Sequence, residues 1–181
     1  MTRGSQDSLG NAPPIDWSQV RRVLLVRLRS IGDTVLMTPC LQSLKDWRPG
    51  AEIDVVTEAL AAPVLEDHPQ VDHLLIAGRS AASRLALVVQ LRRMRFDLAL
   101  NLHGGTTAMM LTALSGARHT VGYRYPRGSW LLNSRAPASE VILRKQRVHS
   151  VEQQLALLHW AGVPTSGKPR LKIATSPAAA A

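Results

Sequence analysis

Cysteine, phenylalanine and acidic residues are scarce in this 181-residue sequence, and it contains no long apolar run. The single cysteine, Cys40, excludes a disulfide within the chain and any multi-cysteine metal site. Its apolar neighbours mark it as a core thiol rather than a nucleophile, in keeping with a reducing compartment. Aromatic residues make up 4%, and the tryptophans are scattered, so no stacking stripe for nucleic-acid bases is present. Nothing approaches the roughly 20 apolar residues of a membrane-spanning helix. The first 20 residues are polar and proline-containing, without the apolar centre of a signal peptide. Neither a G-x-G-x-x-G fingerprint nor a P-loop occurs, because Gly104-Gly105 has the wrong spacing. Thirteen acidic residues stand against 22 basic ones, a formal charge of +9. Such a balance calls for an anionic partner: a phosphorylated substrate, nucleic acid or an acidic membrane face.

The chain is 45% hydrophobic, enough for one good core. Val23-Leu-Leu-Val-Arg27 is a short β-branched run that reads as a buried parallel strand. A tight Ser30/Gly32 turn follows, and a helix begins at Asp33, carrying Val35, Leu36, Cys40, Leu41 and Leu44 as far as Pro49-Gly50. Pro39 requires either a kink or a fresh start with Thr38 as cap. Further strands are expected at 53–57, 73–77, 97–102 and 119–123, with a short helix over 62–67. Residues 83–95 show helical spacing of Leu85, Val88, Val89 and Leu91 as an inward face. Gly104-Gly105 opens a helix through Ser115. Residues 124–148 are broken by Pro126, Gly128 and Pro137 and show no periodicity. Ser150-x-x-Gln153 reads as a capping box for a last helix ending at Gly162, and His149 with Glu152 as a helix-start pair without a catalytic role. Residues 1–20 read as a flexible lead-in and 165–181 as a linker or frayed tail. The expected fold is α/β: one Rossmann-like, doubly wound parallel sheet flanked by helices over residues 21–164.

In such sheets ligands sit beyond the carboxyl ends of the strands, which places the chemistry on the loop before Asp33. Arg29, Ser30 and Gly32 share that loop, and the loop His103-Gly104-Gly105-Thr106 follows the fourth strand. The plain alternative for Asp33 is a helix cap. For most of the arginines the plain alternative is a solvated surface.

Arg22-Val-Leu-Leu-Val-Arg-Leu-Arg-Ser-Ile-Gly-Asp33-Thr-Val-Leu-Met-Thr-Pro39 resembles the N-terminal signature of glycosyltransferase family 9, which includes the heptosyltransferases of the lipopolysaccharide inner core. Pro49-Gly-Ala-Glu-Ile-Asp-Val-Val56, Phe96-Asp-Leu-Ala-Leu-Asn-Leu-His103-Gly104, Val121-Gly122-Tyr123 and His149-x-x-Glu152-x-x-Leu155-x-Leu-Leu158 resemble later landmarks of the family in order. Asn101 departs from the pattern, which commonly has Asp there.

The resemblance implies the N-terminal, acceptor-binding half of a two-domain GT-B enzyme. It implies inverting transfer of a sugar from a nucleotide-diphosphate sugar such as ADP-heptose, used as co-substrate, with no metal or other cofactor. Asp33 matches the family's general base. Arg29, Ser30, Gly32, His103, Gly104, Arg124 and Arg147 are the residues expected to bind substrate, with Arg127 near them. The implied acceptor is an anionic lipid-linked saccharide of the Kdo-lipid A type. The implied location is cytoplasmic, with peripheral contact at the inner membrane and no specific nucleic acid. Nothing after residue 164 resembles the donor-binding domain. The expectation is a fragment, a truncated reading frame or one half of a split enzyme, inactive by itself unless a separate chain supplies that half. Charge alone supports one alternative, a non-enzymatic basic Rossmann-like module for nucleic acid or a membrane surface.

Overall fold

The computed structural model describes residues 15–165; residues 1–14 of the expected lead-in and 166–181 of the expected tail lie outside the described residues. The described chain runs β1 (Arg22–Val26), α1 (Ile31–Val35), α2 (Thr38–Trp47), β2 (Glu52–Thr57), β3 (His73–Ile76), α3 (Ala81–Met94), β4 (Leu98–Asn101), α4 (Thr106–Leu114), β5 (His119–Tyr123), β6 (Ser134–Ala136), α5 (Ser139–Leu143) and α6 (Ser150–Trp160). Short 3₁₀ turns lie at Ala62–Val64 and Ser129–Leu131. The strands form one all-parallel sheet in the order β3-β2-β1-β4-β5-β6.

Side chains alternate across this sheet, and both faces are covered, so the strands read as continuous apolar runs. Val23 and Leu25 of β1, Ile53 and Val55 of β2, and Leu98 and Leu100 of β4 face one core with α2 and α6. Leu24, Val26, Val56 and Ala99 face the other, beneath Leu87 and Leu91 of α3 and Ala108 and Leu111 of α4. The buried Asp54 of β2 is compensated at 2.7 Å by Arg22 Nε and at 2.8 Å by His73 Nδ1.

Several expectations are corrected. Residues 15–20 are packed rather than flexible: Ile15 and Trp17 lie on the core, and Trp17 Nε1 donates to the Ala161 carbonyl at 2.8 Å. Of the two readings of Pro39 the fresh start holds: the helix after β1 is two helices, broken at Leu36 and Met37, with Pro39 in the first turn of α2. Thr38 does not cap α2; its hydroxyl donates back to the Val35 carbonyl. The expected helix at 62–67 is a single 3₁₀ turn. In α3 the inward side is Leu87 and Leu91, while Leu85 and Val89 are exposed. The last helix starts one residue early: the box joins His149 and Glu152, whose carboxylate accepts the His149 backbone N–H at 3.1 Å. The sixth strand, β6, comes from the stretch without periodicity and pairs with β5.

Candidate active site

The order 3-2-1-4-5-6 reverses direction between β1 and β4, and in sheets of this kind the crevice that takes the ligand lies at such a switch point, between the loops leaving the carboxyl ends of those two strands. The first loop turns at Ser30, whose φ of 70° is unusual for a residue with a side chain. Ser30 Oγ accepts the Asp33 N–H at 3.3 Å, so Ser30 is the cap of α1. Asp33 therefore sits inside the first turn, and the plain cap alternative for it does not hold. Gly32 is also not the residue that makes the turn, because its φ is not positive. It lies exposed, and a Cβ there would meet only Ser30 Oγ at 3.8 Å.

Arg27, one residue past β1, is buried and was not singled out by sequence. Its Nη2 forms an ion pair with Asp33 Oδ2. Its Nη1 donates to the Leu102 carbonyl at 2.6 Å, at the end of β4. One guanidinium thus ties the two loops together across the crevice. Its Nε is buried without a hydrogen-bond partner among the described residues. The Asp33 side chain is one-third exposed. From the other side Gln154 of α6, itself buried, reaches the Asp33 carbonyl with Nε2 at 3.5 Å.

The second loop is shaped by Asn101. Its Oδ1 accepts the backbone N–H groups of His103 at 3.0 Å and Gly104 at 2.9 Å, and its Nδ2 contacts Met109 Sδ at 3.5 Å. Gly104 takes a φ of +77°. Gly105 leaves room for the imidazole of His103; a Cβ there would stand 2.7 Å from Cδ2. Burial lowers the His103 pKa, and the charges of Arg27 and Arg29 lower it further, which favours the neutral ring. Asp33 and Glu58 oppose this shift, which places all four charges within reach of the imidazole.

The other expected residues are exposed. Arg29 is exposed and pairs with Glu58 at 3.5 Å, just beyond β2. Arg124 and Arg127 are exposed on the loop leaving β5, and Arg147 is exposed between α5 and α6. Asp33, Ser30, Arg29, His103 and Gly104 thus share the two loops that leave β1 and β4, Asp33 in the helix turn that ends the first, whereas Arg124 and Arg147 stand on other loops. Sequence reasoning missed Arg27, Glu58 and the loop-building role of Asn101. The available signal for Arg27 was a charge directly after a fully apolar strand. Cys40 is fully buried, which pushes its thiol pKa far up and leaves it inert. Among the described residues no group of three or more His, Cys, Asp or Glu could hold a metal ion.

Fold and crevice together define a Rossmann-like domain with an acidic side chain at its switch point. Comparison with known proteins narrows this. No family model matches the chain. Lipopolysaccharide heptosyltransferase 3 of Escherichia coli is 30% identical over 105 residues, covering 54% of this chain and 31% of the relative. The protein of the same name from Escherichia coli strain K12 is 29% identical over 105 residues and is covered to 30%. The match thus spans under a third of the length of these curated relatives.

Among solved structures, a glycosyltransferase family 9 member from Veillonella parvula superimposes with a TM-score of 0.71 at 23% identity, covering 87% of this chain and 46% of that one. Escherichia coli heptosyltransferase WaaC with ADP gives 0.69 at 23%, covering 81% and 49%. Escherichia coli heptosyltransferase II gives 0.68 at 24%, covering 84% and 47%. The resemblance to glycosyltransferase family 9 is present in sequence and in fold.

Proposed function

We propose that residues 15–165 are the acceptor-binding part of an inverting, heptosyltransferase-like glycosyltransferase, with Asp33 as general base. The observation that carries this reading is Asp33 itself: a one-third-exposed carboxylate at the switch point, fixed by a buried arginine that spans both crevice loops. Oδ2 takes the ion pair, and Oδ1 has no hydrogen-bond donor among the described residues.

In the proposed step the acceptor hydroxyl lies within hydrogen-bonding reach of Asp33. Its oxygen forms the new bond to the anomeric carbon from the face opposite the leaving group. The bond to the diphosphate breaks, and its electron pair leaves with the nucleoside diphosphate. The hydroxyl proton passes to Asp33. Inversion follows from the single displacement. Neutral His103 is suited to accept or donate a hydrogen bond to a sugar hydroxyl. Arg29, Arg124 and Arg147 offer charge to acidic groups at the rim of the acceptor. The donor is proposed to be a nucleotide-diphosphate sugar, since related WaaC structures are described with ADP and with an ADP-heptose analogue. By the resemblance its diphosphate belongs to a second domain, so these residues account for the acceptor side alone. The non-enzymatic alternative is not favoured, because the named relatives are glycosyltransferases.

The test is Asp33→Asn in a full-length relative with the same motif. Transfer is expected to be lost while acceptor binding is retained. An unchanged transfer rate would show the base assignment to be wrong.

A further inference from the structure

Tyr125 is 56% exposed, yet its side chain is fixed at both ends. Its ring stacks on that of the buried Tyr123, with centroids 5.3 Å apart and planes inclined by 25°. Gln153 of α6 donates from Nε2 to the Tyr125 hydroxyl, and the Tyr123 hydroxyl donates to the Gln153 carbonyl. The loop that carries the ring is closed on itself. Ser129 donates from Oγ to the Arg124 carbonyl at 2.7 Å and from its N–H to the Pro126 carbonyl at 3.2 Å. A surface tyrosine held in this way has given up its rotamer freedom before any ligand arrives. Burial and then Glu140 raise the Tyr125 pKa, so the hydroxyl stays protonated and the ring neutral. Because one face lies on Tyr123, the exposure falls mainly on the other.

The ring stands at the carboxyl edge of the sheet, on the loop leaving β5. Gln153 and Gln154 are successive residues of α6: the first holds Tyr125, and the second reaches the Asp33 carbonyl. Pro126 lies against the His103 loop, its Cγ 3.5 Å from where a Cβ at Gly104 would stand. Arg124 and Arg127, both exposed, flank this pair in the chain, and residues 98–139 hold no Asp, Glu or Lys. An open aromatic face carries negative charge density and takes the polarised C–H groups of a pyranose, while a guanidinium takes an oxyanion. A sugar ring offers little apolar area to offset the ordering of its partner. A platform ordered in advance therefore suits it better than it suits a protein surface, which brings far more area. We propose that Tyr125 is the stacking platform for an acidic sugar ring of the acceptor, with Arg124 and Arg127 on its carboxylate or phosphate. The proposal rests on the acceptor reading given above and adds to it a residue that selects the sugar.

The test is an NMR titration of the full chain, isotope-labelled in its tyrosine rings, with methyl α-D-glucuronide. The chain has two tyrosines, one buried and one exposed, so two sets of ring signals are followed. The Tyr125 set, assigned by its loss in Tyr125→Phe, is expected to move, and its saturation to pass to the axial ring protons of the sugar. Tyr125→Ala is expected to bind roughly tenfold more weakly, whereas Tyr125→Phe keeps the ring and most of the affinity. Methyl α-D-glucoside, the same ring without the carboxylate, should bind about fivefold more weakly, and the double variant Arg124→Gln, Arg127→Gln should erase that difference. Tyr125 signals that do not move, or glucuronide binding unchanged in Tyr125→Ala, overturn the proposal. So does equal binding of the two glycosides by the wild type. Tighter binding of AMP at the same signals would make the ring a base platform and overturns it as well. The titration needs neither donor nor turnover. A Tyr125-dependent sugar complex beside an active Asp33→Asn relative fails the base assignment alone, and an inactive relative without such a complex in the chain fails this proposal alone.

Discussion

Arg27 and Asp33 form an ion pair across the strained Ser30 turn, and the same guanidinium holds the Leu102 carbonyl at 2.6 Å. This arrangement makes Arg27 the fastener of the crevice. Arg27→Met strands the carbonyl and leaves the carboxylate unpaired. It is expected to destabilise the domain by about 1–2 kcal/mol, reduced from the fully buried case because Asp33 is one-third exposed. Arg27→Lys keeps the charge but not the fork, and its urea midpoint should fall between the two. A lysine variant as unstable as the methionine variant would show that the fork, not the charge, carries the effect.

His103 should titrate below 6.5, because burial and then Arg27 and Arg29 oppose its protonation. The unfolded chain, whose histidine is unperturbed, binds that proton first on acidification. The stability His103 contributes is therefore complete above about 6.5 and lost as pH falls through its lower folded value. An NMR titration of the ring checks this, and His103→Gln should flatten the stability profile across that window. A midpoint at or above 6.5 contradicts the assignment.

Asn101 supplies one acceptor to two backbone donors in a buried loop. Asn101→Ala leaves both without it and is expected to cost about 2 kcal/mol in denaturant unfolding. Asn101→Asp retains the acceptor for both donors, loses the contact with Met109 Sδ and adds a buried carboxylate whose desolvation its two N–H donors partly offset, so it should be milder. Equal losses would place the main contribution of Asn101 elsewhere.

Gly122 stands where β5 approaches two neighbours. A Cβ there would be 2.6 Å from Leu132 Cδ1 and 3.3 Å from Asn101 Cβ. Gly122→Ala is expected to destabilise by about 1–3 kcal/mol through overpacking. Gly50→Ala meets nothing within 4 Å and serves as the control, with little change expected in the thermal midpoint.

Trp17 joins the start of the described chain to the end of α6 through the Ala161 carbonyl, beside Gly162. Trp17→Ala should cost about 2 kcal/mol, below the range for a fully buried tryptophan because Trp17 is only partly covered. An unchanged unfolding midpoint would mean that residues 15–20 are not part of the cooperative core.

The sequence by itself determined the parallel sheet and the position of the Asp33 loop in it. β1, β2 and β4 are apolar on successive residues because both faces are covered, and that pattern is local. The Asp33 loop follows from the same logic, since it leaves the carboxyl end of the first strand. Other features depended on distant partners. Leu85 and Val89 have the same helical spacing as the buried Leu87 and Leu91, so only contact with the sheet chose the inward side of α3. β6 is three residues, Ser-Arg-Ala, with no pattern of its own, and exists because β5 offers it an edge. Arg27 reads as the end of a strand until folding brings in Leu102, 75 residues away. Periodicity reports which residues can be buried together; which charges meet is decided by the order in which the strands lie side by side.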